Sequence, residues 1–136
     1  MAMSPKLEQT LGSHLKWLRG EAGGVRAKLD HADLAGIDLA GRDLRSISLR
    51  ESDLSGADLR GANLRDAALG GANLRGADFR GAVLSEADLS HADLRDAILD
   101  GAELDTTDIW RSNLVGAVIS PEVLYRVLGC VLPKKN

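Results

Sequence analysis

Large apolar residues return along this chain at every fifth position. From Leu34 through Leu39 and Leu44 to Ile119 the series runs eighteen steps without an insertion, and every step is apolar: fifteen Leu, one Phe and two Ile. Two positions before the centre sits a small residue in most quintets, alanine in twelve, and two positions after it sits glycine in nine. A period of five matches neither a helix, at about 3.6, nor a flat strand, at about 2. Residues two apart in an extended segment share a face, so each quintet offers two inward side chains. The glycine-tolerant position then supplies a bend. A chain that bends the same way after every quintet closes into a coil, and successive coils stack with strand-like hydrogen bonds. No quintet can bury its leucine alone, so stability has to arise between neighbouring coils.

The flanks carry a different period. In SPKLEQTLGSHLKWLRG, Ser4 fits an N-cap, Pro5 the first helical position and Gly20 the terminator. Leu7, Leu11, Leu15 and Leu18 follow helical spacing. Val25, Ala27 and Leu29 read as a rough lead-in to the first coil. At the other end SPEVLYRVLGC repeats the logic with Ser120, Pro121 and Gly129. A stacked coil exposes its apolar axis at both ends, and short helices are the expected covers.

Runs such as ADLRG (57–61), ANLRD (62–66), ANLRG (72–76) and ADFRG (77–81) resemble the pentapeptide-repeat family, whose consensus is A(D/N)LXX. The resemblance covers residues 32–121. It implies an all-β fold, a right-handed quadrilateral β-solenoid with four quintets per coil, to which the flanks add a short N-terminal capping helix and a short C-terminal helix. On that geometry the chain makes about four and a half coils, roughly 22 Å long at about 4.8 Å per coil. Three segments follow: a capping helix and lead-in at 1–31, the solenoid at 32–121, and a helix with a basic tail at 122–136.

Some positions depart from the pattern. Arg42 stands where a small inward residue is expected, and Ile37 and Ile47 are oversized there, so the first coil is expected to be irregular or covered. The quintets AELDT, TDIWR and SNLVG are degenerate, as terminal repeats tend to be. Ile98, Trp110, Val115 and Val118 fall at outward positions near the C-terminal end, where other quintets carry polar residues or glycine. With Leu124 and Leu128 they form a candidate patch. Two readings stay open: the C-terminal helix folds back over the patch, or the patch is a homodimer contact, as the family resemblance implies for several members.

Composition narrows the function. The 136 residues carry a net charge of −3, with a sequence pI of about 5.6, which gives no global basic footprint for nucleic acid. Aromatics make up only 3%, so the core is built from smaller side chains. Residues 32–121 hold nine Arg against sixteen Asp and Glu, a net −7, while the segments on either side carry +2 each. Acids such as Asp58 and Asp78 precede the centres and arginines such as Arg60 and Arg80 follow them, so stacking gathers these four into a candidate interaction surface. The bland reading is a solvated lattice of ion pairs. The sharper one comes from the resemblance, because the family includes DNA-mimicking proteins that bind DNA gyrase and protect it from quinolones. Sixteen acids along the rod approach the charge spacing of duplex DNA, about 1.7 Å per charge, but the net −7 gives one per about 3 Å.

Nothing in the sequence assembles a catalytic set. His14, His31 and His91 lack a partner pattern and read as surface residues, Trp17 as a cap residue, and no Cys/His cluster has metal-ligand spacing. The single cysteine, Cys130, has no internal disulfide partner and reads as a buried or partly buried thiol. No cofactor is called for. The N-terminus lacks a signal-peptide apolar run and no stretch is long enough to span a membrane. The expected protein is a cytoplasmic, non-enzymatic interaction module with an unidentified protein partner and no direct contact to nucleic acid or membrane. A topoisomerase-directed DNA mimic is the alternative.

Overall fold

A computed structural model describes residues 2–129. Cys130 and the lysines of the basic tail lie outside the described residues. The order of elements is α1 (Pro5–Leu18), the stack of quintets, and α2 (Pro121–Val127). Both helices begin as the residues dictate. The Ser4 hydroxyl accepts the Leu7 N–H at 3.2 Å and the Ser120 hydroxyl that of Val123 at 3.3 Å, with proline next in each case. Gly20 and Gly129 follow the helix ends in the left-handed region, at φ 68° each.

Between the helices the chain pairs with itself at a constant offset. Fifteen parallel bridges join the described residues, from Lys28–Ser48 to Ile98–Val118, and every one links residues twenty apart. Four quintets therefore complete one coil. Each quintet contributes one bridging residue, the one before the apolar centre, so the ladder is a stack of single bridges rather than of long strands. The hydrogen bonds follow the parallel pattern: the Leu59 N–H donates to Asp78 O at 2.9 Å and the Asp78 N–H to Ala57 O at 3.0 Å. The first bridge falls at Lys28, so a quintet at 27–31 precedes the start at residue 32 that the consensus suggests.

Each bend is a β-turn closed by the next inward residue, as where the Ala62 N–H donates to Leu59 O at 3.1 Å. The third residue of every turn, from His31 to Gly116, has positive φ. Nine of these eighteen are glycine; the other nine, including Glu51, His91, Thr106 and Arg111, hold φ between 54° and 63°. A side chain there costs about 1–2 kcal/mol, and the fold imposes it wherever the period falls.

The centres from Leu54 to Leu94 and the alanines between them are almost wholly buried. Burying a leucine stabilises by about 1.5–3 kcal/mol, and alanine lets the facing walls approach. Where a polar residue replaces the alanine, its hydroxyl bonds a backbone carbonyl: Ser52 to Leu49 O at 2.6 Å and Thr107 to Leu84 O at 2.7 Å.

The first coil is covered by α1, and this explains its odd residues. Ile37 and Ile47 are buried. Arg42 reaches out of its inward position to the helix, placing its two terminal nitrogens 2.8 and 3.2 Å from the Glu8 carboxylate. His14 is not a surface residue, as its polarity suggests, but is fully buried beneath the helix. Its Nδ1 accepts the Ala27 N–H at 3.0 Å, so the neutral ring carries its proton on Nε2 and donates to Arg45 O at 2.8 Å. Burial holds its pKa below the ordinary histidine value, against the opposing pull of the Arg45 hydrogen bond. Trp17 stacks on the same ring at 5.5 Å.

Candidate interaction surfaces

The residue before each centre bridges to its neighbours twenty away, so these residues form four columns, one per side of the coil. One column reads Asp38, Asp58, Asp78, Ile98, Val118. The acidic candidate surface and part of the apolar patch are thus one side of the molecule, changing from carboxylate to hydrocarbon toward the C-terminal end.

The acids have a backbone duty that the charge pattern alone did not show. In twelve quintets the Asp or Asn side-chain oxygen accepts the N–H two residues on. This Asx turn fixes the chain as it leaves the bridge. The D/N preference at that position was the available signal.

The same carboxylates meet arginines. Arg60 forks onto Asp58 at 2.6 and 2.9 Å, and Arg80 onto Asp78 at 2.5 and 3.0 Å. Asp43–Arg45 and Asp93–Arg95 repeat the arrangement. Arg60 also lies 3.9 Å from Asp78 in the next coil, so Asp58, Arg60, Asp78 and Arg80 form one cluster. The Arg60 hydrogen bond, aided by the turn N–H, draws the Asp58 pKa down to about 2, and Arg80 lowers that of Asp78 likewise. Each acid is therefore ionised but matched by a cation two residues away. Exposed pairs of this kind contribute little stability; they set the pattern of potential.

At the C-terminal end, α2 lays Val123 and Val127 on the last coil but leaves other residues outside. Trp110, Val115, Val118 and Leu128 keep between 47% and 71% of their surface exposed, so the helix does not fold back over the patch. Ile98 and Leu124 are partly buried. Trp110 and Leu128 share a groove of about 430 Å³ with Ile109, Leu114 and Val127, whereas Val115 and Val118 lie in other columns. Sequence reasoning missed the surroundings of Trp110. His91 meets its ring edge-on at 5.1 Å and the Arg111 guanidinium lies 4.5 Å from its centroid. Their spacing of twenty was the signal. Among the described residues no group of His, Cys, Asp or Glu could hold a metal ion, and no helix is long and apolar enough to cross a membrane.

Comparisons with known proteins agree with this geometry. The family described as Pentapeptide repeats matches residues 27–66, 62–101 and 82–120. A pentapeptide repeat protein (Rfr23) from the cyanobacterium Cyanothece 51142 is 36% identical, with a TM-score of 0.67 over 68% of this chain and 64% of that one. HetL, a pentapeptide repeat protein involved in heterocyst differentiation regulation from the cyanobacterium Nostoc sp. strain PCC 7120, is 37% identical, with a TM-score of 0.59 over 68% of this chain and 46% of that one. The chain thus spans less than two thirds of the length of either. A trypsin-treated QnrB1, a plasmid-mediated fluoroquinolone resistance protein, is 23% identical with a TM-score of 0.40, over 79% of this chain and 72% of that one, too loose a likeness to inform function. No curated protein sequence matches the chain.

Proposed function

Because the chain belongs to the pentapeptide-repeat family, we propose that it is a non-enzymatic interaction scaffold: a right-handed rod of about four and a half coils, stacked at about 4.8 Å per coil and working in the cytoplasm. The partner is a protein, and it docks on the side that carries Asp58, Arg60, Asp78 and Arg80. The observation that carries this reading is the pairing of each of these aspartates with the arginine two residues on. A surface of alternating, locally matched charge suits a partner with its own alternating charges and supports register-specific docking. It is unlike a continuous negative stripe, and that weighs against a DNA-mimicking modulator of gyrase. Two assays test the reading. In a gyrase supercoiling assay, with and without a fluoroquinolone, the protein should have no effect at tens of micromolar. Inhibition or protection that disappears in Asp58→Lys/Asp78→Lys would replace the scaffold with the mimic. Photocrosslinking in the cell from position 80 should give a discrete partner band that position 75, on the neighbouring side, does not give. Identical bands from both would remove the assignment to this side.

A second reading concerns self-association, favoured by the exposed Trp110, Val115, Val118 and Leu128. Among the described residues, nothing accepts the N–H groups that the last coil presents at Leu104, Ile109 and Leu114. The C-terminal end, including Ile98 and Leu124, then docks a second copy. Light scattering at micromolar protein should give a mass near twice 14.4 kDa, and a monomer throughout that range refutes it.

A further inference from the structure

The N-terminal end has a surface opposite in character to the rod. Lys6, Arg26 and Lys28 converge on a groove of about 540 Å³ between α1 and the lead-in to the first coil. One wall is the α1 face that carries Lys6, Gln9 and Ser13; the other is the segment Val25–Lys28. Arg26 is anchored, its Nε donating to Ser46 O at 2.6 Å, and no described residue takes its two terminal nitrogens. Among the described residues none of the three cations pairs with a carboxylate. Of the acids nearby, Glu8 is held by Arg42 and Asp30 by the Ser48 hydroxyl and the Arg50 N–H, while Asp33, which shares a second groove with Lys6, accepts the Ala35 N–H. In a chain whose rod arginines are repeatedly forked onto aspartates, three unmatched cations in one groove stand apart.

The groove also offers backbone. The Leu29 N–H and Ala27 carbonyl pair with Ser48 in the coil above. On a strand the next residue's groups point the other way, and no described residue bonds the Lys28 N–H or C=O. Beside this open edge Val25 is 63% exposed.

We propose that this groove is a docking site for an extended acidic peptide segment of a partner protein. The peptide adds its backbone to the Lys28 edge and turns alternate carboxylates toward Lys6, Arg26 and Lys28, with an apolar residue against Val25. The charge distribution selects a peptide over a nucleic acid. The first 31 residues carry +2, but the rod beyond them carries −7. A polyanion longer than the groove would run into that field, and the groove lining includes no aromatic side chain on which a base could stack.

Fluorescence polarisation with a labelled peptide of alternating glutamate and valine tests this on the full chain. Binding should saturate, weaken as salt rises from about 50 to about 300 mM, and fall roughly tenfold or more in Lys6→Glu/Lys28→Glu. Lys16→Glu/Arg19→Glu, the same charge change outside the groove lining, should leave it within about twofold. Circular dichroism of each variant checks that the fold is kept. Equal losses in both double variants would reduce the effect to net charge and overturn the site, as would absence of binding at low salt. A single-stranded oligonucleotide of equal charge that binds as well as the peptide would overturn the choice of partner.

Discussion

Replacing His14 with alanine removes a side chain that ties α1 to two different parts of the coil. The ring is fully buried and satisfies the Ala27 N–H and the Arg45 carbonyl. Each group left unsatisfied costs about 1–3 kcal/mol, and the lost ring leaves a cavity beside Trp17. A loss of about 3 kcal/mol is expected, a large fraction of the roughly 5–15 kcal/mol that holds a domain together. Urea unfolding followed by circular dichroism measures it, and hydrogen exchange at the Ala27 amide shows whether the loss is local to the cap. The same ring adds a pH signature. Its folded pKa lies below the ordinary 6.5, so the unfolded chain takes up the extra proton. Stability from this source is complete above about pH 6.5 and is lost as pH falls from there through the folded pKa. The Asp43 and Asp58 carboxylates, whose folded pKa values are also lowered, add their own loss only below about 3.8. The wild type should therefore weaken as pH falls below about 6.5 while His14→Gln does not. A loss under about 1 kcal/mol in His14→Ala, with Ala27 exchange unchanged, refutes the reasoning.

Other expectations concern the repeat itself. Thr106, β-branched and held at φ 58°, should be improved by Thr106→Gly, raising stability by about 0.5–1 kcal/mol in thermal unfolding, the relief of strain outweighing glycine's entropy. Asp53 accepts both the N–H and the hydroxyl of Ser55, so Asp53→Ala should lose about 1 kcal/mol in denaturant unfolding while Asp53→Asn keeps most of it. Phe79 is fully buried where other quintets place leucine. Phe79→Ala should cost about 3–5 kcal/mol and Phe79→Leu under about 1.5, measured by the same method.

The repeat was legible because its period is physical: every fifth residue must be apolar and every bend must tolerate left-handed backbone. Other features escaped, in whole or in part, for identifiable reasons. The aspartates before the centres were read for their charge, when each also accepts a backbone N–H, and a column of Asp and Asn points to that geometry as much as to electrostatics. His14 was read by its polarity, although Leu7, Leu11, His14 and Leu18 lie on one helical face at spacings of four, three and four. Arg42 marked the first coil as irregular or covered, but its partner was not legible because Glu8 sits 34 residues earlier. The exposure of the C-terminal patch depended on how far a helix of seven residues could reach over the last coil, a length that local pattern does not set.

The twenty-residue offset of the bridges governs how such a chain can change in length. Deleting one quintet keeps leucine inward and aspartate at the bridge, so the interior survives, but everything downstream rotates by one side. If the deletion falls between residues 78 and 98, Asp58 and Asp78 no longer share a column with Ile98 and Val118. Only a gain or loss of twenty residues returns each surface residue to its own column, so the interior counts in fives and the exterior in twenties. Insertions that are silent for folding can thus rewrite what a face presents to its partner.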